Sequence, residues 1–104
     1  MNITAHRLPT HPGDVMKEEI EARGISQKDF AAKVGMSYTM LNEILNAKRP
    51  VTSDVALVFE AALGVNPEML VNMQSRYNMA QARQKPAMEN HLEQIRRVCA
   101  TWLL

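Results

Sequence analysis

Of the residues that staple, anchor or bend a chain, 104 positions hold one cysteine, one tryptophan, two tyrosines, two phenylalanines and four glycines. A lone Cys99 excludes an internal disulfide and agrees with a reducing compartment. No apolar run approaches the roughly 20 residues that cross a bilayer, so no membrane partner is expected. The N-terminus, MNITAHRLPT, lacks the basic-then-apolar order of a secretory signal. The cytoplasm is the expected location. Charge of one sign is also scarce: the net charge is +1, with 46% apolar and 22% charged residues, a composition of globular proteins rather than disordered tails. At this length one domain with an appended element fits.

The residue types of catalysis are present but not assembled. His6, His11 and His91 are scattered, with no Cys, Asp or Glu at a metal-ligand spacing, so no metal or other cofactor is expected. Eight methionines fall mainly on apolar stripes, where gap filling is their usual role. No nucleophile-base pair, phosphate-cradling glycine loop or paired carboxylates can be built, which argues against an enzyme.

What is there is SQKDFAAKVGMSYTMLNEILN, residues 26 to 46. Ser26 caps a helix carrying Phe30, Ala31 and Val34 on one face. Gly35 breaks it, and Ser37 caps a second helix with Leu41, Ile44 and Leu45 on one side. Ala31 lets the helices cross closely, Gly35 takes a left-handed backbone cheaply, and Met36 tucks under the turn. This order predicts a helix-turn-helix that reads DNA; the plainer alternative is a structural hairpin.

Around the motif the chain reads as helices throughout. The first is expected from about Pro12 to Arg23, with Val15, Met16, Glu19 and Ile20 as its stripe and Gly24 as its terminator. Residues 47 to 50 form a loop before Pro50. Thr52 or Ser53 caps a fourth helix, carrying Val55, Ala56, Val58, Phe59, Ala62 and Leu63 to Gly64. That helix is expected to be apolar nearly all round and central. Asn66-Pro67-Glu68 opens a fifth, reaching about Arg83 with Leu70, Met73, Tyr77 and Ala80 inward. After Pro86 a sixth repeats Met88, Leu92, Ile95, Cys99 and Trp102 at spacings of four, three, four and three, a seam widened by Val98, Leu103 and Leu104. Two heptads do not stand alone, so this seam needs its own domain, a second copy or another protein against it.

The domain boundaries are thus residues 1–84 for a helix-turn-helix domain and 85–104 for a C-terminal helix serving dimerisation or partner binding. At the amino end of the second motif helix, Ser37, Tyr38 and Thr39 are placed to touch base edges, with hydroxyls and thymine-methyl contacts in place of arginine forks. Asn42 suits adenine or a phosphate, and Gln27 a phosphate at its helix end. Arg23, Lys28, Lys33, Lys48 and Arg49 bracket the motif, with Lys48 and Arg49 expected as phosphate anchors. Glu43 is repelled by phosphates and is not assigned a contact. The alternative for the polar face is plain solvation. Residues 1–70 carry net −2 and residues 71–104 net +3. So modest a charge predicts weak non-specific affinity and reliance on dimer avidity.

Residues 11–78 resemble the HigA/VapI family of antitoxins within the Xre/Cro-type helix-turn-helix class. The resemblance is carried by His11-Pro12-Gly13, the motif, Lys48-Arg49-Pro50, Ala61-Ala62-Leu63-Gly64, and Asn66-Pro67-Glu68 followed by Asn72-Met73-Gln74 and Tyr77-Asn78. Aromatics usual in that family after the Pro-Glu step are replaced by Met69, Leu70 and Val71, and the tail beyond Pro86 has no counterpart. The resemblance implies an all-α, five-helix lambda-repressor-like domain with an additional amphipathic C-terminal helix. It also implies a homodimer that represses its own operon at a palindromic operator in double-stranded DNA and neutralises a HigB/RelE-like mRNA-cleaving toxin. Alternatives are a stand-alone or phage-type repressor without a toxin, and a protein-interaction module that does not bind DNA.

Overall fold

In the computed structural model, residues 8–103 are described; His6 and Leu104, read above as a scattered histidine and as part of the seam, lie outside them. Among the described residues there are six helices and no strand: α1 (Pro12–Ala22), α2 (Gln27–Val34), α3 (Tyr38–Leu45), α4 (Ser53–Leu63), α5 (Pro67–Gln84) and α6 (Pro86–Leu103). Side chains cap five of them. Ser26, Ser37 and Asn66 accept from the amides of Asp29, Met40 and Met69 at 3.0 Å, and Thr52 accepts from that of Val55 at 3.3 Å. The fifth cap was not foreseen: His11 Nδ1 accepts from the Gly13 amide at 2.9 Å. Each cap satisfies one of the amide donors that a helix start leaves without an internal partner.

The core is one cluster built from α1 to α5, with Met16, Ile20, Phe30, Ala31, Leu41, Ile44, Leu45, Phe59 and Leu70 buried and Met36 packed partly against it. Phe30 and Phe59 meet at a ring separation of 6.1 Å, which joins α2 to α4. At the carboxyl end of α4, Arg23 donates to the Leu63 carbonyl at 2.9 Å and so satisfies one of the acceptors left free where that helix stops. The expectation of an all-round buried α4 is corrected. Val55, Ala56, Phe59 and Leu63 face inward, whereas Leu57 is 54% exposed and Ala61 and Ala62 face solvent. A domain this small has too few layers to surround a helix, so α4 is covered from one side only.

α5 and α6 are separated by Lys85 alone, whose extended backbone (φ −74°, ψ 121°) follows from the clash between a proline ring and a helical residue before it. The junction redirects the chain. α6 runs on with none of its described residues buried, and the dimensions are 57 × 31 × 22 Å. The Cα radius of gyration of 18.0 Å compares with about 13 Å for a sphere-like chain of this length, so α6 projects from the five-helix body.

α1 is pressed endwise onto α3: a Cβ added at Gly13 would overlap the Ile44 carbonyl and crowd His11 Nδ1. Gly24, by contrast, has open space around it and needs glycine only for its φ of 67°. Gly13→Ala is therefore expected to cost about 1–3 kcal/mol by overpacking, and Gly24→Ala about 1 kcal/mol by backbone strain. Urea midpoints of the two variants compare them; a Gly13→Ala loss no larger than that of Gly24→Ala would refute the close approach.

Candidate nucleic-acid interface

The turn of the motif is built as its residues require. Gly35 has φ 74° and ψ 30°, and its amide and that of Met36 both donate to the Ala31 carbonyl, closing α2. A Cβ placed at Gly35 would meet no heavy atom within 4 Å, so the glycine serves conformation rather than space. Ala31 is buried at the crossing, and Leu41, Ile44 and Leu45 of α3 are 0–1% exposed. The opposite side of α3 faces solvent, with Tyr38 51% exposed and Ser37 and Thr39 exposed beside it. Of these, Ser37 is already engaged, because its oxygen holds the Met40 amide; its hydroxyl proton stays available to an acceptor.

Gln27 and Asn42 are brought together across the turn. The Asn42 amide donates to Gln27 Oε1 at 3.3 Å, both side chains half-buried. This bond fixes the orientation of each and leaves the Gln27 NH2 as donor at the start of α2, beside exposed Lys28.

A second turn, not foreseen, places the basic loop. Asn46 caps the end of α3, Ala47 takes φ 61°, and the amides of Ala47 and Lys48 donate back to the carbonyls of Ile44 (3.2 Å) and Glu43 (2.8 Å). That is a Schellman ending, here with alanine in the left-handed position usually held by glycine. It folds Lys48 and Arg49 back toward α3. Arg49 meets Glu43, with Nε and NH2 donating to one carboxylate oxygen at 3.2 and 2.9 Å. The carboxylate that argued against DNA is therefore matched by the neighbouring guanidinium. The bracket of five cations is narrower than expected: Arg23 turns to Leu63 and Glu19, and Lys33 lies with Ile25, Ala62 and Leu63 on the α2–α4 side. Lys28, Lys48 and Arg49 stay exposed.

Behind the loop lies a polar brace. Gln74, 6% exposed, accepts from the Val51 amide through Oε1 and donates to Asn78 through Nε2, both at 2.8 Å. Beside it His11, 2% exposed, meets Tyr77 edge to face at 4.8 Å. Together they line a cleft of about 240 Å³ with Lys48, Arg49 and Pro50. Residue types alone leave His11 scattered and give Gln74 no role; a glutamine one turn beyond Leu70 on the inward stripe of α5 is the available signal. Among the described residues no group of three His, Cys, Asp or Glu could hold a metal ion, and no helix is long and apolar enough to cross a membrane.

Burial holds His11 below its ordinary value of 6.5, against a smaller opposing pull from Asp14. Its Nδ1 accepts a hydrogen bond, so protonation there removes the cap. A depressed folded-state value means that the stability it contributes is complete above pH 6.5 and is lost as pH falls through the lower folded value. His11→Asn, which keeps a capping acceptor that does not titrate, is expected to flatten the stability profile below pH 6.5 in denaturant titrations. Equal acid slopes in both proteins would refute this.

The chain is similar to known proteins at three levels. The family profile described as helix-turn-helix matches residues 16–70. Virulence-associated protein I of Dichelobacter nodosus is 32% identical over 75 residues, 71% of this chain and 69% of that protein. Among solved structures, an addiction module antidote protein of the HigA family from Coxiella burnetii superposes with a TM-score of 0.71 at 28% identity, covering 84% of this chain and 96% of that one. The Pseudomonas aeruginosa antitoxin HigA, solved with the higBA promoter, gives a TM-score of 0.71 at 25% identity over 83% and 92% of the two chains.

Proposed function

The chain belongs to the helix-turn-helix family, and from that premise we propose that it is a dimeric, sequence-specific repressor of its own promoter and the antitoxin of a toxin-antitoxin pair. One observation carries the DNA half of this reading. α3 is fixed to the core by Leu41, Ile44 and Leu45 while its amino end, with Tyr38 and Thr39, is held out in solvent. The likeness to antitoxins, one of them solved with promoter DNA, supports the same reading and adds the toxin. No catalytic role is assigned, and the protein acts in the cytoplasm, where its operator is.

In this arrangement the amino end of α3 enters the major groove. Tyr38 and Thr39 select bases through single hydrogen bonds and contacts with thymine methyls, and the Ser37 hydroxyl donates alongside them. Asn42 holds Gln27, whose NH2 together with Lys28 and the α2 amides engages a phosphate. Lys48 and Arg49 engage phosphates past the other end of the helix. A homodimer sets two such helices about 34 Å apart on a palindromic operator. The α6 seam of Met88, Leu92, Ile95, Cys99 and Trp102 joins the two copies, and residues 1–84 form the DNA-binding body. The toxin, a HigB/RelE-like mRNA-cleaving protein, is encoded in the adjacent frame.

Mobility shifts on the chain's own promoter test this, with co-purification of the neighbouring gene product testing the antitoxin half. Tyr38→Ala combined with Thr39→Ala is expected to erase the preference for operator over random DNA, a loss of about 1–3 kcal/mol per base pair read. Unchanged preference would remove α3 from its assigned role.

The Glu43–Arg49 pair generates a separate expectation. Glu43→Gln frees the guanidinium and removes a carboxylate near the phosphates. Affinity should rise on all sequences alike, with log K falling more steeply against log salt by about one unit. A change confined to one base position would instead assign Glu43 to base reading.

A further inference from the structure

We propose that the two α6 helices of the dimer run antiparallel, crossing near their midpoint so that each Leu92 faces the second copy's Ile95 and each Met88 the second copy's Cys99. The proposal rests on the dimeric reading above and adds the direction and register of the contact.

Charge and exposure both fit this face to a second copy of the chain. Most of the seam is open, with Met88 38%, Ile95 43% and Trp102 76% exposed and Leu92 and Cys99 half-buried between them. Glu89 and Arg96 each follow a seam residue by one position and stand seven apart, so they form one stripe beside it. The stripe on the other side of the seam holds His91 and Val98. In a parallel pair these unlike stripes face each other, so Glu89 and Arg96 meet no opposite charge. An antiparallel pair brings like stripes together in reversed order. Glu89 then lies against the second copy's Arg96, and the same contact recurs across the two-fold axis.

Within its own helix Arg96 has Glu93 at 3.6 Å, an exposed and loose pair that leaves the guanidinium free to turn. The antiparallel register also carries Trp102 past the start of the second copy's α6 toward the end of its α5. That extends the contact beyond two heptads and covers the most exposed large apolar residue.

The register has a sharp consequence for thiols. With the axis between Glu93 and Gln94, the two Cys99 residues are eleven helical steps apart, about 16 Å at 1.5 Å per residue. A disulfide needs Cα atoms within about 7 Å. A parallel in-register pair would instead set Cys99 level with its own copy.

The full-length protein tests this directly under mild oxidation on non-reducing gels. Met88→Cys, with Cys99 retained, is expected to yield a covalent dimer, and the natural sequence is not. In sedimentation, Arg96→Glu should weaken the dimer about tenfold by turning two attractive pairs repulsive. Adding Glu89→Arg should restore it. All of these positions lie outside the core, and an unchanged circular dichroism spectrum accompanies each comparison.

A covalent dimer through Cys99 alone would overturn the antiparallel direction. So would a dimer of the natural sequence in which Met88→Cys fails to cross-link and the charge exchange fails to restore. A natural sequence that stays monomeric at every concentration would instead overturn the dimeric reading itself, and this proposal with it.

Discussion

Leu41, Ile44 and Leu45 occupy one side of an eight-residue helix and are almost completely removed from water. A helix of two turns has no independent stability, so α3 exists because that side is held, and its other side is available because nothing else needs it. Three constraints hold it from different directions. The left-handed Gly35 and its bonds to Ala31 set how α3 leaves α2. Gly13 lets α1 reach the carbonyl of Ile44. The Schellman ending at Ala47 fixes where the chain goes next. Together they aim a short polar surface on which Tyr38 and Thr39 stay out of the core, so these two positions can vary without unfolding the domain.

The brace behind the basic loop shows how that aim is extended past the helix. Val51 would carry an amide without a partner in a dry site; Gln74 supplies the acceptor, and Asn78 occupies the other end of the carboxamide. Leaving such an amide unpaired costs about 1–3 kcal/mol, so the loop carrying Lys48 and Arg49 is tied to α5 and not merely laid against it. His11 and Tyr77 close the same region from the α1 side. The loop is thus tied to α5 by a hydrogen bond and α1 to α5 by an edge-to-face ring contact, which together position the loop more closely than loose apolar contact would.

How much of this was legible in the sequence follows from which residues speak locally. Ser26, Gly35, Ser37, Gly24, Gly64 and Asn66 act through their own backbone and nearest turns, and each appears where its chemistry placed it. The inward stripes of α2 and α3 were readable for the same reason, since spacing alone defines a face. What escaped depends on partners distant in sequence or on a residue type that does not announce its role. Gln74 reaches Val51 across 23 positions, and its place one turn beyond Leu70 gives a face but no partner. Ala47 adopts a glycine conformation because the carbonyls of Glu43 and Ile44 reward it. Arg49 looked like a bare phosphate anchor because its pairing with Glu43 needs the Schellman turn to exist first. The apolar character of α4 overstated its burial, since composition counts residues while burial depends on how many neighbours a small domain can supply. The resemblance to the HigA/VapI antitoxins did cover His11-Pro12-Gly13 and Gln74, but as motif positions without a physical task; the hydrogen bonds supply the task.

The split in charge connects the two ends of the molecule. Residues 1–84, the body that presents α3, carry no net charge and only Lys28, Lys48 and Arg49 near the exposed side of that helix, with Arg49 half committed to Glu43. Each phosphate contact contributes through counterion release, so a single body has few such contacts with which to hold a duplex at physiological salt. Joining two bodies changes the problem, because once one has bound, the other meets its half-site at an effective concentration set by the tether. α5 and α6 are joined through one extended residue, so in the proposed dimer the spacing of the two α3 helices follows from the angle at that junction and from how α6 is paired. A loose tether would spread that effective concentration over many spacings; a rigid one confines it to a narrow range. In the proposed dimer, weak charge and a projecting amphipathic helix are then two parts of one arrangement, in which binding to any single stretch of DNA is poor and binding to a correctly spaced pair is not.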